Sequence, residues 1–316
     1  MIRSLTANDF SVAFGCRVDD LPSQVLALVE EIDFRLRTPT ASERDSLLIE
    51  CIKKIRDDSQ IVGDKSRTSI WEEGWDENRK DYAKTMDEQS LVPKFMRAGQ
   101  PIRWSGEFFF PENPNFEVDF AKLLRAYVFD LFEKMTPGGL GELHEFGAGT
   151  GWNLLSAWEF YGPRVQLVGS DFVPSSVELM REVGAQAGAQ IESRLFDMIS
   201  PDTSYKFSMP SRAGVFTYGS LEQLAGNLEP MVDFLIASQP GLVISIEPAI
   251  ETYEQNSIVD YLGYWFQEKR GYSAGLIGLL REREAKGLIT VHKIKRLGFG
   301  SMMMEGYNLF IWSPAA

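Results

Sequence analysis

The residues best suited to chemistry are acids and glycines that directly follow short apolar runs. Glu145 ends such a run and leads into Gly147, Gly149 and Gly151, three alternating glycines before a helix-like segment that contains Asn153. Glycine tolerates positive φ and lets a ligand approach the main chain, and the first amide N–H groups of a helix lack intrahelical partners. This pattern predicts a loop that holds a nucleotide-like cofactor.

Two further acids follow the next two strand-like runs. Asp171, which precedes Phe172, ends one run, and Asp197, which precedes Met198, follows the next. In a doubly wound sheet, an acid after the second strand contacts the ribose hydroxyls. Any one of these acids could be an ordinary exposed carboxylate, but the ordered set with the glycine loop favours a cofactor site.

The glycine spacing distinguishes between cofactors. A dinucleotide fingerprint requires G-x-G-x-x-G, and Trp152 stands where its third glycine would be. The stretch E-F-G-A-G-T-G at 145–151 instead resembles motif I of the class I S-adenosylmethionine (SAM) methyltransferases, and the resemblance extends over residues 141–316. It implies SAM as the cofactor, with Asp197 and Met198 at the adenine.

Candidate catalytic residues follow the fourth and fifth strand-like runs. Tyr218, Ser220 and Glu222 come after the fourth run, and Glu247 comes after the fifth. Ligands of open α/β sheets bind outside the carboxyl ends of the strands, so these side chains are expected around the acceptor. Glu222 or Glu247 could hold or deprotonate an amine. In the structural alternative, Glu222 lies in a first helical turn capped by Ser220, and Glu247 simply ends a strand.

Three residues outside these runs are candidate substrate contacts. Arg103 and Arg270 could pair with a substrate carboxylate, which a planar guanidinium binds well. Trp104 could line the pocket. Structural ion pairs for the arginines and a core position for Trp104 are the alternatives.

The alternation of strand-like and helix-like segments predicts an α/β fold. We expect a seven-stranded, mostly parallel Rossmann-like sheet with helices on both faces, whose last two strands form a hairpin at the sheet edge. A breaker cluster divides the chain into a mainly helical N-terminal cap at 1–140 and the SAM-binding domain at 141–316. Within the cap, Thr40 and Glu43 form a capping box, and residues 102–116, rich in aromatics and prolines, are unsuited to a regular helix and predict a structured cover.

Composition narrows the function classes. The chain has 316 residues, 44% of them hydrophobic, and a formal net charge of −13, which disfavours a nucleic-acid partner. Two cysteines and two histidines give no spacing typical of a metal site. We expect a cytoplasmic enzyme with a small-molecule substrate, without a membrane segment or a bound metal, and a homodimer is an open alternative to a monomer.

Three hypotheses for the function remain open. The first is a SAM-dependent methyltransferase that acts on a small polar metabolite, such as an amine or an amino acid. The second uses the aminobutyrate part of SAM, which cyclises to azetidine-2-carboxylate with release of methylthioadenosine, as in a small family of methyltransferase-like synthases that the chain also resembles. The third is a SAM-binding protein without catalysis.

Overall fold

The computed structural model describes residues 1–62, 67–96 and 98–315. The helices of these residues are α1 Ala7–Phe14, α2 Ser23–Glu31, α3 Ala41–Asp57, α4 Arg67–Thr85, α5 Phe116–Met135, α6 Trp152–Tyr161, α7 Pro174–Ala187, α8 Glu229–Ser238, α9 Ile258–Arg270 and α10 Leu276–Ala285. The strands are β1 Ile2–Ser4, β2 Arg35–Arg37, β3 Ile102–Trp104, β4 Glu107–Pro111, β5 Glu142–Phe146, β6 Gln166–Asp171, β7 Ile191–Leu195, β8 Ala213–Tyr218, β9 Leu242–Glu247, β10 Ile289–Ser301 and β11 Tyr307–Pro314.

All of these strands belong to one mixed sheet, in the order β1-β2-β4-β3-β10-β11-β9-β8-β5-β6-β7. The five strands β5 to β9 pair in parallel, with β5 between β6 and β8. In chain order this is 3-2-1-4-5, the doubly wound arrangement, so the strand order reverses beside β5. The predicted α/β class is confirmed, and the carboxyl ends of these strands form the edge where a ligand is expected.

The prediction of a seven-stranded, mostly parallel sheet is wrong in extent. The described sheet has eleven strands, because four short ones from the N-terminal region pair onto the predicted set. The last two strands, β10 and β11, form the expected antiparallel pair, but the predicted position of this pair at the sheet edge is wrong, because β3 pairs with β10.

Residues 102–111 of the aromatic segment, predicted as a structured cover and not as a helix, form a β-hairpin. Strands β3 and β4 are antiparallel, and the two residues between them, Ser105 and Gly106, have φ of 50° and 81°. Positive φ at both positions suits a two-residue hairpin turn, which fixes the strand register. A hairpin this short has no local pattern that distinguishes it from a loop. Its pairing partner β10 is distant in sequence, so the sequence alone does not show that the hairpin joins the sheet.

Two helices of the N-terminal region begin and end where local signals place them. The capping box of α3 is present: the Glu43 amide donates to Thr40 Oγ1 at 3.2 Å, and the Thr40 amide donates to the Glu43 carboxylate at 2.8 Å. Helix α5 spans Phe116–Met135, ends directly before the breaker cluster and is buried along most of its length. It packs between the helical region and the sheet, so its side chains reach the carboxyl edge of the strands.

In the described part of the chain, no helix combines the length and the apolar character that crossing a bilayer requires.

Candidate functional site

The glycine loop after β5 has the backbone that the sequence predicts. Gly147, Gly149 and Gly151 have φ of 71°, 54° and 76°. A Cβ at Gly147 would lie 2.4 Å from the Cβ of Ser220. At Gly151 a Cβ would lie 2.8 Å from Met180 Cγ. Glycine is therefore required both for the loop conformation and for the contacts on either side of it.

Glu145 lies at the base of the loop with half of its carboxylate unpaired. Its side chain is buried, and Oε1 accepts a hydrogen bond of 2.7 Å from Asn153 Nδ2, while Oε2 has no partner in the structure. Burial raises the pKa of Glu145 to about 8. A buried carboxyl with a free oxygen at the start of a glycine loop is suited to a polar ligand group.

Asp171 joins the end of β6 to the same loop. Its carboxylate accepts hydrogen bonds from the amides of Gly149 at 2.9 Å and Val173 at 3.2 Å. Burial raises the pKa of Asp171 to about 6, although the hydrogen bonds from these backbone amides favour the charged form. Beside it, Phe172 is 40% exposed, which leaves its ring accessible at the carboxyl edge.

Asp197, the third acid of the predicted set, follows β7. Asp197 is exposed, and its Oδ1 accepts from the amide of Ile199 at 2.9 Å, which shapes the turn after β7. Met198 is buried, and its methyl group lies 3.3 Å from where a Cβ at Gly147 would stand. The two residues therefore supply an exposed acid and an apolar surface next to the glycine loop.

Glu247 and Glu222 form a buried carboxyl pair. Glu247 Oε2 accepts from the amides of Ser220 at 3.0 Å and Leu221 at 3.1 Å. Glu222 Oε1 accepts from Gln223 Nε2 at 2.7 Å, and its Oε2 has no partner. Burial and the neighbouring Glu222 carboxylate raise the pKa of Glu247 well above its usual value. This shift favours the protonated form of Glu247.

Ser220 connects this pair to the glycine loop. Its hydroxyl donates to the carbonyl oxygen of Phe146 at 3.1 Å, and its Cβ faces Gly147. The predicted helix cap is not observed, because residues Leu221–Leu224 form a single 3-10 turn without a side-chain cap from Ser220. The turn after β8 is held by Glu247 instead.

Tyr218 points into a buried polar cluster that the sequence did not reveal. Its hydroxyl has no partner, and its ring packs edge-on against Tyr307, with 5.8 Å between the ring centroids. Tyr307 donates to Glu117 Oε1 at 2.9 Å, and Gln100 donates to Glu117 Oε2 at 2.7 Å. Burial raises the pKa of Glu117 to about 7. The cluster joins α5 to the start of β11, two elements whose proximity is set by the tertiary fold.

Arg125 on α5 is a second residue of the site that sequence reasoning missed. Its guanidinium carbon lies 3.8 Å from the ring centroid of Trp152, and Nη1 lies 3.4 Å from Asn153 Oδ1. A signal was present in the sequence, because Arg125 falls four residues before Phe129 and four after Ala121, on the apolar stripe of an amphipathic helix.

Residues 67–91, which we call the cover segment, lie over the glycine loop. A Cβ at Gly149 would lie 2.9 Å from the indole of Trp75. Thr150 donates to the Leu91 carbonyl oxygen at 2.7 Å, and Trp152 donates to Glu88 at 2.7 Å. The loop is thereby enclosed by a helix of the N-terminal region.

The three candidate substrate contacts have structural roles instead. Arg103 is fully buried and donates to three carbonyl oxygens, those of Met302, Val259 and Met303. Trp104 is 3% exposed within an aromatic core that includes rings from α1, α5 and β10.

Arg270 is paired with Asp58 at 2.6 Å, which ties α9 to the end of α3. Its guanidinium also donates to the Tyr272 hydroxyl at 3.1 Å. The structure therefore does not support the interpretation of Arg103, Trp104 and Arg270 as substrate contacts.

A cleft of about 470 Å³ lies between α2, α5, α6 and residues 87–92. Arg125 and Trp152 form part of its wall, together with Lys122, Glu88 and Glu159. Its lining does not include the glycine loop itself, which the cover segment encloses.

No family model matches the chain, and no curated protein matches it. Among solved structures, PigF with S-adenosylhomocysteine is 13% identical over 98% of this chain and 90% of that chain, with a TM-score of 0.47. A geranyl diphosphate C-methyltransferase from Streptomyces coelicolor is 13% identical over 75% of this chain and 97% of that chain, with a TM-score of 0.44. The protein PH0226 from Pyrococcus horikoshii is 16% identical over 64% and 92%, with a TM-score of 0.45.

These TM-scores are below 0.5, so functional inference rests on the residues of this chain. The strand order and the glycine loop after β5 together confirm the predicted resemblance to the class I methyltransferases at the level of the fold.

The described residues fit SAM, the cofactor that the sequence predicts. The three loop glycines leave no room for a Cβ against their protein neighbours, and Asp171 stands where the ribose hydroxyls are expected. Two unpaired buried polar atoms, Glu145 Oε2 and Arg125 Nε, lie at the loop start, where the resemblance implies the amino acid end of the cofactor. Arg125 offers a cationic donor, and Glu145 offers a carboxyl oxygen, to the two polar groups of a zwitterion.

Proposed function

We propose that the protein is a SAM-dependent methyltransferase whose acceptor is a small polar molecule, such as an amine or an amino acid. The observation that carries this proposal is the buried Glu222 and Glu247 pair, which adjoins the glycine loop through Ser220. Two buried carboxyl groups beside the cofactor loop suit an acceptor that is cationic or that releases a proton.

The residues of the chain have separate tasks in this reaction. When bound, SAM supplies an electrophilic methyl group on a sulfonium. Glu247 fixes the turn that carries Ser220 and Glu222, since two amides of that turn donate to its carboxylate. The ionised member of the pair holds the acceptor nitrogen and accepts its proton, and the cover segment excludes water from the glycine loop.

The enclosure of the site favours a small acceptor. Trp75, Leu91 and Glu88 contact three neighbouring positions of the glycine loop, so a macromolecule has no direct approach to the loop from that side. The formal net charge of −13 also disfavours an acceptor on a nucleic acid.

Cyclisation of the aminobutyrate part of SAM is the second candidate, and one observation favours it. Unpaired polar atoms of Arg125, Glu145 and Tyr218 concentrate at the amino acid end of the loop, on the residues closest to the amine that would attack. In that reaction the α-amine forms a bond to the γ-carbon while the bond from that carbon to sulfur breaks. The products are azetidine-2-carboxylate, methylthioadenosine and a proton.

The nucleoside product distinguishes the two reactions. We expect purified protein, SAM and a panel of small amines and amino acids to yield S-adenosylhomocysteine only when an acceptor is present. Methylthioadenosine formed without any co-substrate would overturn methyl transfer and establish cyclisation. If SAM binds and neither nucleoside accumulates with any panel member, the protein is a SAM-binding protein without this catalytic activity.

A further inference from the structure

Among the residues that the structure describes, no acid forms an ion pair with the buried Arg125. Its side chain is 3% exposed, and Nε has no hydrogen-bond partner. Its one side-chain hydrogen bond is the long 3.4 Å contact with the neutral Asn153, and the guanidinium otherwise lies over the indole of Trp152. Removal of a guanidinium from water is costly unless a hydrogen-bonded anion accompanies it.

The other buried arginines of the described residues show how such a charge is normally satisfied. Arg103 donates to three main-chain carbonyl oxygens, at 3.0, 2.6 and 3.0 Å. Arg283 forms a two-point contact with the Asp233 carboxylate, at 2.9 and 3.3 Å. Arg125 has neither arrangement, so its unused donors are available to a ligand.

The neighbours of Arg125 locate that ligand. Asn153 bridges the site, since its Oδ1 faces Arg125 and its Nδ2 donates to Glu145. The guanidinium therefore lies beside the residue that opens the glycine loop. The Tyr218 hydroxyl, at the end of the strand β8 that pairs with β5, is a further unpaired buried polar atom.

We propose that Arg125 binds the carboxylate of the amino acid end of SAM. A guanidinium presents donors in a planar fork that matches a carboxylate, and its stacking on Trp152 fixes the plane of that fork. This inference rests on the proposed function, because it assumes that SAM occupies the glycine loop. It adds an anchoring residue from the N-terminal region to the cofactor site.

Binding of two nucleosides that differ in the amino acid part tests the assignment. S-adenosylhomocysteine carries the aminobutyrate, and methylthioadenosine lacks it. By calorimetry, we expect Arg125→Gln to weaken S-adenosylhomocysteine binding roughly 10- to 100-fold and to leave methylthioadenosine binding within about threefold of wild type. Arg125→Lys keeps the charge without the planar fork, so its affinity for S-adenosylhomocysteine should lie between those of the wild type and Arg125→Gln.

Arg283→Gln is the matched control, because it removes a buried arginine that is already paired with Asp233. It should leave both affinities unchanged. Retained methylthioadenosine binding also shows that an Arg125 variant is folded.

An unchanged ratio of the two affinities in Arg125→Gln would overturn the inference. The same unchanged ratio together with a raised KM for a carboxylate-bearing acceptor would assign the arginine to the acceptor instead. Failure of the wild-type protein to bind either nucleoside is a different outcome, because it would contradict the SAM site itself.

Discussion

At the scale of residues, the candidate site contains several buried carboxyl groups with different hydrogen-bond partners. The Asp171 carboxylate accepts from backbone amides, whereas Glu145 accepts from the side-chain amide of Asn153 and has one unpaired oxygen. Glu222 and Glu247 are buried neighbours, and this raises the pKa of Glu247. In the proposed function, the same side-chain chemistry serves cofactor binding in one place and proton transfer in another.

The two members of the pair have unequal roles in the proposed function, and matched variants separate these roles. Glu222→Gln removes the carboxyl group that is proposed to accept the proton, and we expect it to lower kcat by about 100-fold or more while S-adenosylhomocysteine affinity changes only a few-fold. Glu247→Gln should keep kcat within a few-fold, because an amide oxygen can accept the two backbone bonds and its NH₂ can donate to Glu222.

Steady-state kinetics and calorimetry on both variants check this prediction. A loss of kcat in Glu247→Gln as large as that in Glu222→Gln would show that Glu247 itself accepts the proton. Equal losses of turnover and cofactor affinity would place the pair in the cofactor site.

The residue types and spacing predicted much of the cofactor site and little of the rest. Glu145, the three glycines and Asp171 follow successive strands in the chain, so local patterns locate them. Arg103 and Arg270 were misassigned because a sequence does not show which carbonyl oxygens or acids will satisfy a guanidinium. Arg125 was overlooked because its partners come from another helix.

At the scale of elements, the N-terminal region contributes directly to the site through α4 and α5. Helix α4 is fastened to α7 by Arg79, whose guanidinium pairs with Glu178 and Glu182, each at 2.7 Å. Ser175 at the start of α7 donates to Glu72 at 3.0 Å. These contacts hold Trp75 over Gly149, the surface against which the cofactor is proposed to lie.

The position of Trp75 predicts an optical signal of cofactor binding. Because its indole lies against Gly149, we expect saturating S-adenosylhomocysteine to change the tryptophan emission and Trp75→Phe to remove at least half of that change. Trp158→Phe is the control, since Trp158 on α6 packs against the hydrophobic core. If Trp75→Phe keeps the full change, the ligand does not reach the surface that α4 encloses.

At the scale of the whole molecule, the sheet joins the two halves of the chain. Strands β3 and β4 connect β10 to β2 and β1, so the sheet that positions the cofactor loop continues into the N-terminal region. The sequence predicted the parallel half because each strand and helix there carries its own pattern. It did not predict the antiparallel extension, whose three-residue strands β1, β2 and β3 each pair with a strand that is distant in sequence.

The claim on which the other proposals depend is that SAM binds at the carboxyl edge of β5 and β6, and calorimetric titration with S-adenosylhomocysteine tests it most directly. We expect one site per chain in the wild type and a loss of affinity of roughly 10- to 100-fold in Asp171→Ala, because a charged acceptor for the ribose hydroxyls is removed. Glu192→Ala, which removes an exposed acid paired with Arg194 on neighbouring β7, should bind like the wild type. No binding by the wild type, or equal affinity in Asp171→Ala, would contradict the account.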